Sequence, residues 1–223
     1  MKYAFLNAFL GLVFLAYAVA LPSCWAWLLA WLGLCFVAAG FAYGRRSAGI
    51  YGKRPGGSLP LWSWLLFLPM HLYVLAVWHL FRLLSREPAI SPVTDRLLIG
   101  RRLLAHELPS SVCTVVDLTA EFREPPGIPA GRDYRSFPIL DATAPDATRL
   151  MAFIQSLPDT PTYIHCAQGH GRTGVFTLAY LVSRGMCASL DEARALLASV
   201  RPLLSLNREQ EDFISSLATT HFT

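Results

Sequence analysis

Residues 3–43 form an unbroken stretch without a single charged side chain. Two apolar runs occupy this stretch, "YAFLNAFLGLVFLAYAVA" and "CWAWLLAWLGLCFVAAGFAYG", and only "LPS" separates them. A helix that crosses a bilayer needs about 20 apolar residues, and each run is long enough. We therefore expect residues 3–20 and 24–43 to form a transmembrane helical hairpin. A cleaved signal peptide is the alternative, but its apolar core would be shorter and no second run would follow at once.

A third apolar run, "LPLWSWLLFLPMHLYVLAVWHLF", follows the basic loop "GRRSAGIYGKRPGGS". It predicts a third span over residues 61–81, although Pro69, His71 and His79 interrupt its apolar character. No carboxylate or cysteine accompanies the two histidines within the run. Packing or interfacial histidines are therefore favoured over a proton relay or a metal site.

Basic residues flank the third run on both sides. They are Arg45, Arg46, Lys53 and Arg54 before it, and Arg82, Arg86, Arg96, Arg101 and Arg102 after it. Because basic segments beside membrane spans favour the cytoplasm, the two clusters conflict unless the third run lies in the membrane interface. We expect an integral, multi-pass membrane protein whose globular part faces the cytoplasm. The net charge of +4 favours anionic headgroups as neighbours, and no pattern typical of nucleic-acid binding is present.

The chain from about Glu87 onward has the mixed composition of a globular domain, although the whole chain is 54% hydrophobic. We predict a membrane region over residues 1–86 and a globular domain over residues 90–223. The segments expected to be strands are "RLLIG", "VCTVVDLT", "DYRSFPIL" and "PTYIH". The segments expected to be helices are "RRLLAHEL", "DATRLMAFIQSL", "RTGVFTLAYLVSR", "SLDEARALLASV" and "NREQEDFISSLA". This alternation indicates an α/β fold with a central, mostly parallel sheet flanked by helices.

The five cysteines show no C-x-x-C spacing, so the sequence predicts neither a zinc site nor a disulfide framework. Cys24 and Cys35 lie in the membrane runs. Cys113 and Cys187 are expected to be small buried side chains, which is the commoner role of a free cysteine. Only Cys166 lies in a segment whose composition points to chemistry.

That segment is "HCAQGHGRTG", residues 165–174, which follows the apolar strand "PTYI" and opens the next helix. Open α/β sheets bind ligands at this end of a strand, and backbone N–H groups converge on anions at a helix N-terminus. Glycines let such a loop turn tightly, and the same field favours the thiolate form of a cysteine. The residues expected to bind phosphate are Ala167, Gln168, Gly169, His170, Gly171 and Arg172.

The guanidinium of Arg172 adds a planar fork that can grip two phosphoryl oxygens. A nucleophilic Cys166, converging amides and this guanidinium lie within ten residues. Together they predict phosphate-ester cleavage through a cysteinyl-phosphate, with no metal and no cofactor.

The same ten residues resemble the HCxxGxxR[ST]G signature of the cysteine-dependent protein tyrosine phosphatases, and most closely their dual-specificity branch. The resemblance extends over roughly residues 90–220. Within it "VTDRLLIGRRLLAHEL" is similar to the opening strand and helix of that branch, and "RPLLSLNREQEDFI" is similar to its closing helix. It implies that Cys166 is the nucleophile and Arg172 the phosphoryl clamp. It further implies that Thr173 stabilises the departing thiolate and that His165 organises the loop. The alternatives are a helix-start threonine, which we favour less, and a core histidine.

Expulsion of the leaving oxygen needs a proton, and the resemblance implies an aspartate upstream of the cysteine as general acid. The candidates are Asp141 and Asp146 in "FPILDATAPDATRL". Asp141 directly follows a strand, whereas Asp146 precedes a helix and is well explained as its N-cap, so we favour Asp141. Its separation from Cys166, 25 positions, is shorter than the resemblance leads us to expect. His170, inside the loop, either influences the pH dependence or faces solvent.

The sequence leaves the substrate open between phosphorylated proteins and the headgroup of a membrane phospholipid monoester. The arginines near the membrane favour lipid headgroups, whereas an anchor would equally serve a phosphatase that acts on membrane proteins. The loop "CAQGHGR" carries no lysine and no second arginine, which argues against multiply phosphorylated headgroups. The alternatives are a non-catalytic phosphate-binding membrane module and a thiol-based arsenate reductase or sulfurtransferase.

Overall fold

Three long helices open the computed structural model, which describes residues 2–21 and 23–221. They are α1 (Lys2–Ala20), α2 (Ala26–Arg45) and α3 (Leu61–Leu84), and within the described residues these three are long and apolar enough to cross a membrane. Small residues bring α1 and α2 together: a Cβ on Gly11 would lie 2.8 Å from the carbonyl oxygen of Gly33, and one on Gly40 would lie 2.8 Å from the amide of Ala8. The two helices form the predicted antiparallel hairpin because their backbones can approach this closely.

Helix α3 bends at Phe67, two residues before Pro69, because a proline inside a helix removes one backbone hydrogen bond and crowds the preceding turn. Beyond the bend it lies along the globular part of the chain. His71 Nδ1 is 3.1 Å from the Glu121 carbonyl oxygen, and Arg82 forms an ion pair with Glu107 at 3.2 Å. Its opposite face leaves large apolar side chains exposed, namely Leu72, Tyr73, Leu80, Phe81, Leu83 and Leu84.

The globular part contains a five-stranded sheet in the described residues, formed by β1 (Ile90–Thr94), β2 (Leu97–Arg101), β3 (Thr114–Thr119), β4 (Asp133–Ile139) and β5 (Thr162–Cys166). The strand order is β1-β2-β5-β3-β4. β1 pairs antiparallel with β2, and the other pairs are parallel. The fold is therefore α/β with a mostly parallel sheet, and β5, which is buried along its whole length, lies at its centre.

The described residues of this part also form four α-helices, namely α4 (Ala147–Ser156), which precedes β5, and α5 (Gly171–Ser183), α6 (Leu190–Val200) and α7 (Arg208–His221), which follow it. They form the main core with one face of the sheet, where Ile99, Val116 and Ile164 meet Phe176 of α5. The other face, which includes Val115 and Tyr163, is covered by the segment from Leu103 to Val112 and by Ile128. Helix α5 lies at the centre of the core, since its residues from Arg172 to Leu181 are all buried.

Two local expectations are wrong. "RRLLAHEL" is not a helix, because Arg101 still belongs to β2, Leu103 is buried against the sheet, and only Ala105–Glu107 form a single 3₁₀ turn. Cys113 is exposed rather than buried, because it lies just before β3 between the buried side chains of Val112 and Thr114. Cys187 is buried, as the sequence predicts.

Candidate active site

Cys166 ends the central strand β5, and its residue is only 4% exposed. Its Sγ accepts a hydrogen bond from the backbone N–H of Gly169 at 3.3 Å. The segment of residues 166–172, called here the Cys166 loop, therefore curls around the sulfur and continues into the first turn of α5. The structure brings the thiol and the amino end of a buried helix to one place at the carboxyl edge of the sheet, as parallel strands favour.

The carbonyl groups of the Cys166 loop are held from outside. The Ala167 oxygen accepts from the Arg102 backbone N–H at 3.2 Å. The oxygens of Gln168 and Gly169 accept from the Arg201 guanidinium at 3.1 and 2.9 Å. Since the peptide planes are fixed with their carbonyls outward, their N–H groups are free to face the sulfur. Gly169 has φ +77°, and a Cβ there would lie 2.5 Å from the Gly100 carbonyl oxygen, so only glycine fits.

Arg201 is the residue that fixes this loop, and sequence reasoning did not single it out. Besides the two loop carbonyls, it donates to the Pro88 carbonyl at 3.0 Å and to Ser91 Oγ at 3.1 Å. It also forms an ion pair with Glu87 at 2.9 Å, and Glu87 in turn lies 3.0 Å from His170 Nε2. His170 is therefore only partly exposed, and it ties the loop to the segment that leaves α3.

The guanidinium of Arg172 is 2% exposed and is held by a buried carboxylate that sequence reasoning also missed. Glu121 accepts from Nη1 and Nη2 at 2.9 and 2.8 Å, and the Ile139 carbonyl accepts from Nη1 at 3.1 Å. Nε has no hydrogen-bond partner among the described residues. The bidentate pair fixes the plane of the fork and leaves one edge for a ligand.

In this pair, the charge of each group stabilises the ionised form of the other. Burial alone lowers the pKa of Arg172, but the Glu121 and Asp141 carboxylates raise it well above its usual range. Burial alone raises the pKa of Glu121, but the charge and hydrogen bonds of Arg172 lower it below its usual value. Both groups are therefore ionised at neutral pH, and Arg172 is a fixed positive charge beside the thiol.

The structure separates the two general-acid candidates. Asp141 lies 3.1 Å from Arg172 Nη2, and its side chain is 71% exposed. Asp146 caps α4, and its carboxylate accepts from the Arg149 backbone N–H at 2.8 Å. Asp141 is thus the candidate that lies beside the Cys166 loop, and Asp146 has a structural role that explains its presence.

The loop that carries Asp141, residues 140–146, is held by the residue before α7 and by the first turn of that helix. Asn207 Nδ2 donates to the Ala142 carbonyl at 2.9 Å, and Gln210 Nε2 donates to that of Thr143 at 3.3 Å. Ala142 has φ +59°, a conformation that costs free energy in any residue with a Cβ. The two amide side chains therefore stabilise a strained turn that places Asp141 near Arg172.

His165 and Thr173, the predicted loop organiser and the predicted partner of the thiolate, are both buried. Thr173 is fully buried, and its Oγ1 has no hydrogen-bond partner within the described part of the chain. His165 Nδ1 lies 3.3 Å from the Cys166 carbonyl oxygen, and its Nε2 lies 3.8 Å from Glu124. Burial lowers the pKa of His165 to about 4, although the charge of Asp117 partly opposes this. The imidazole is therefore neutral at physiological pH.

A buried polar cluster beneath His165 includes a lysine from the loop between α2 and α3. Lys53 Nζ contacts Asp117 Oδ2 at 2.5 Å and donates to the Thr119 carbonyl at 2.7 Å. Burial alone would raise the pKa of Asp117, but the charge of Lys53 holds it well below its usual range. Burial and the Asp117 charge raise the pKa of Glu124 to about 8.

The same cluster contains three groups of the kind that bind metals, since ligand atoms of Asp117, Glu124 and His165 lie within 4.8 Å of one another. The Lys53 ammonium already supplies a positive charge to Asp117 there. The cluster therefore needs no metal ion to balance the ionised carboxylate. It also connects the loop between α2 and α3 to β3, the strand that pairs with β5.

The chain belongs to a known phosphatase family. The family model described as "PTP-SAK: Swiss Army Knife protein, DSP-PTPase phosphatase domain" matches residues 104–218, slightly more than half of the chain. This match supports a cysteine-dependent phosphatase of the dual-specificity type, as the ten-residue segment around Cys166 led us to expect. No curated protein matches the chain.

Solved phosphatase structures share the fold. Tk-PTP in its active form has 23% sequence identity and a TM-score of 0.54, over 60% of this chain and 98% of that one. A mouse putative dual specificity phosphatase complexed with zinc tungstate has 19% sequence identity and a TM-score of 0.51, and the match covers 61% of this chain and 91% of that one. PTPMT1 in complex with PI(5)P has 19% sequence identity and a TM-score of 0.50, and the match covers 59% of this chain and 96% of that one. At these identities the likeness establishes the fold alone.

Proposed function

We propose that the chain is a membrane-anchored phosphomonoester hydrolase that acts through a cysteinyl-phosphate on Cys166. One observation carries the proposal: the sulfur lies inside a loop of outward-held carbonyls, next to an arginine that Glu121 fixes by two hydrogen bonds. Such a site offers a nucleophile, convergent N–H donors and a guanidinium edge to one tetrahedral anion. The substrate's phosphoryl oxygens would bind Arg172 through Nε and Nη2.

In the first step the Cys166 thiolate attacks phosphorus, the bond from phosphorus to the leaving oxygen breaks, and Asp141 donates a proton to that oxygen. The ion pair between Asp141 and Arg172, at 3.1 Å, must give way when phosphate takes Nη2. In the second step water attacks phosphorus and gives its proton to Asp141 while the sulfur–phosphorus bond breaks. The Thr173 hydroxyl then stabilises the released thiolate, a role consistent with an Oγ1 that bonds no described residue.

The arrangement of the helices supports an anchor that holds this site on the cytoplasmic side. The hairpin begins at Lys2 and ends at Arg45, and Lys2, Arg45 and Arg46 lie close to the Asp141 loop. The sequence between the two helices, residues 21–25, carries no charge. Both ends of α3 also contact the globular part: Glu124 N–H donates to the Gly57 carbonyl at 2.8 Å before the helix, and Arg82 pairs with Glu107 near its end.

We infer that α3 lies in the membrane interface on the same side as the globular part, because both of its ends are held there. The conflict between the two basic clusters then disappears, since both lie on one side of the bilayer. The side that carries basic residues is the cytoplasmic one by the positive-inside rule. In this position the exposed apolar face of α3 would contact the acyl chains of the bilayer.

Two substrate classes are compatible with this site, phosphorylated proteins and phospholipid monoesters. One structural neighbour, PTPMT1, was solved with PI(5)P, which shows that a domain of this fold binds a phosphorylated lipid. An anchor places the site within reach of lipid headgroups at high local concentration. The loop itself supplies one arginine and no lysine, which favours a substrate with a single phosphate.

The proposal is tested by phosphate release from a soluble aryl phosphate by the full chain in detergent micelles. Cys166→Ser should abolish release, and Arg172→Lys should reduce it at least 100-fold, because a point charge cannot replace the planar fork. Cys113→Ser is the matched control, since Cys113 is exposed and should be dispensable. Release that persists in Cys166→Ser would contradict the proposal.

A further inference from the structure

A cavity of about 580 Å³ lies between the three long helices and the Asp141 loop. Residues from α1, α2 and α3 line its length, chiefly Phe14, Leu32, Phe36, Met70 and Val74. At one end it reaches Leu140, Asp141 and Glu121, which belong to the site around Arg172. The cavity therefore connects the catalytic groups with the part of the molecule that is built from membrane-type helices.

The lining of the cavity changes along its length. Its carboxylates, on Glu121 and Asp141, lie at the end where Arg172 lies, and Tyr43 and Tyr51 are near them. Along α2 the lining continues from Tyr43 to Leu32, eleven positions, which is about 16 Å of helix. A site with a charged end and a long apolar end is complementary to an amphiphile with an anionic head.

We propose that this cavity holds an acyl chain of a membrane phospholipid monoester while its phosphate lies in the Cys166 loop. The inference rests on the proposed phosphatase activity and names the substrate class for it. A phospholipid in the bilayer beside α1 and α2 would present its chain at the depth of Phe14 and Leu32 and its phosphate at the level of Arg172.

A peptide fits the same cavity poorly. Every residue of an extended peptide brings a backbone N–H and C=O that must be hydrogen-bonded when buried. The apolar part of the lining offers few partners, and Asn7, the amide side chain in it, already donates to the Tyr3 carbonyl at 2.7 Å. An acyl chain carries no polar groups, so its burial there costs no hydrogen bonds.

The test compares substrates and cavity-filling variants of the full chain in mixed micelles of fixed lipid fraction. The substrates are phosphatidic acid with 16-carbon chains, phosphatidic acid with 6-carbon chains, a phosphotyrosine peptide and a soluble aryl phosphate. Leu32→Trp fills the cavity from α2, and Leu34→Trp, on the exposed side of the same helix, is its control. Val74→Trp and Val19→Trp form a second pair, in case the first variant fails to fold.

We expect wild-type kcat/KM to be at least ten-fold higher for the 16-carbon than for the 6-carbon lipid. Leu32→Trp or Val74→Trp should lower the ratio of long-chain lipid to aryl phosphate turnover at least ten-fold, while Leu34→Trp and Val19→Trp keep it. Equal turnover of both chain lengths, a preference for the peptide, or equal ratios in filled and control variants would overturn this inference and leave the phosphatase proposal standing. Absence of Cys166-dependent release from every substrate would overturn both.

Discussion

The loop between α2 and α3 is predicted to stabilise the globular part through one buried ion pair. Lys53 and Asp117 are in contact at 2.5 Å, and their side chains are 1% and 0% exposed. Replacement of Lys53 by methionine keeps the length of the side chain but leaves the Asp117 carboxylate buried without its counter-charge. Breaking a buried pair by removal of one partner costs about 3–5 kcal/mol.

For a chain of this size about 1 kcal/mol corresponds to a shift of about 2–4 °C in the unfolding midpoint. We therefore expect Lys53→Met to lower the midpoint in detergent micelles by about 6–20 °C, measured by near-UV circular dichroism. Arg54→Met is the matched control, since Arg54 is the exposed neighbour in the same loop, and it should shift the midpoint little. The double variant Lys53→Met with Asp117→Asn should recover much of the loss, because the unpaired charge is then gone.

Equal unfolding temperatures of Lys53→Met and Arg54→Met would contradict a stabilising role of the buried ion pair. That result would mean that Asp117 is protonated or hydrated in the folded protein, so that the lysine contributes no net stability. A double variant no more stable than Lys53→Met alone would likewise show that the lost charge balance is not the cause.

Two further predictions concern Asp141 and His165. Asp141→Asn should lower kcat at least 100-fold on a substrate with a poor leaving group and much less on an aryl phosphate. Asp146→Asn keeps an N-cap acceptor and should change neither kcat nor thermal stability much, so the reverse pattern in steady-state kinetics would transfer the acid role to Asp146. The second prediction concerns the pH dependence of stability. Burial lowers the folded-state pKa of His165 to about 4, whereas its usual value is about 6.5. The folded protein with a neutral His165 is therefore favoured above pH 6.5, and this contribution to stability is lost as the pH falls toward 4. The stability of the wild type relative to His165→Gln should therefore fall by about 1.4 kcal/mol per pH unit below 6.5 in denaturant titrations, and a constant difference between pH 7 and 5 would contradict the assignment.

The strand, loop and helix around Cys166 could be predicted because their signals are local. The apolar run before Cys166, the glycines of the loop and the apolar helix after Arg172 follow one another within about twenty residues. The charge-free stretch at the amino end predicted the two helices α1 and α2 from a local pattern in the same way. Patterns of this kind depend on neighbouring residues alone, so one sequence suffices to interpret them.

The partners that orient the site could not be predicted, because they come from distant parts of the chain. Glu121 lies 51 positions before Arg172, and Arg201 reaches both the Cys166 loop and Glu87. Nothing in "LTAEFREPP" or "VRPLLS" distinguishes these side chains from ordinary surface charges until the chain is folded. Lys53 illustrates the same limit: a basic residue beside a membrane span suggests a headgroup contact, yet it is buried against Asp117.

The errors also have a physical cause. "RRLLAHEL" combines good helix-forming residues, but pairing of β2 with β5 extends through Arg101 and burial of Leu103 prevents the helix. Tertiary packing outweighs the local pattern there. The third apolar run forms the helix Leu61–Leu84, which is long and apolar enough to cross a membrane, and its placement in the interface is a proposal that rests on the contacts of His71 and Trp78 with the globular part.

The most direct test of the central proposal is to trap the covalent intermediate. The full chain in micelles would be mixed with ³²P-labelled substrate, quenched with acid within milliseconds, and digested for mass spectrometry. The account predicts phosphate on Cys166, no label in Cys166→Ser and unchanged labelling in Cys113→Ser. Phosphate release without label on Cys166, or label that persists in Cys166→Ser, would contradict it.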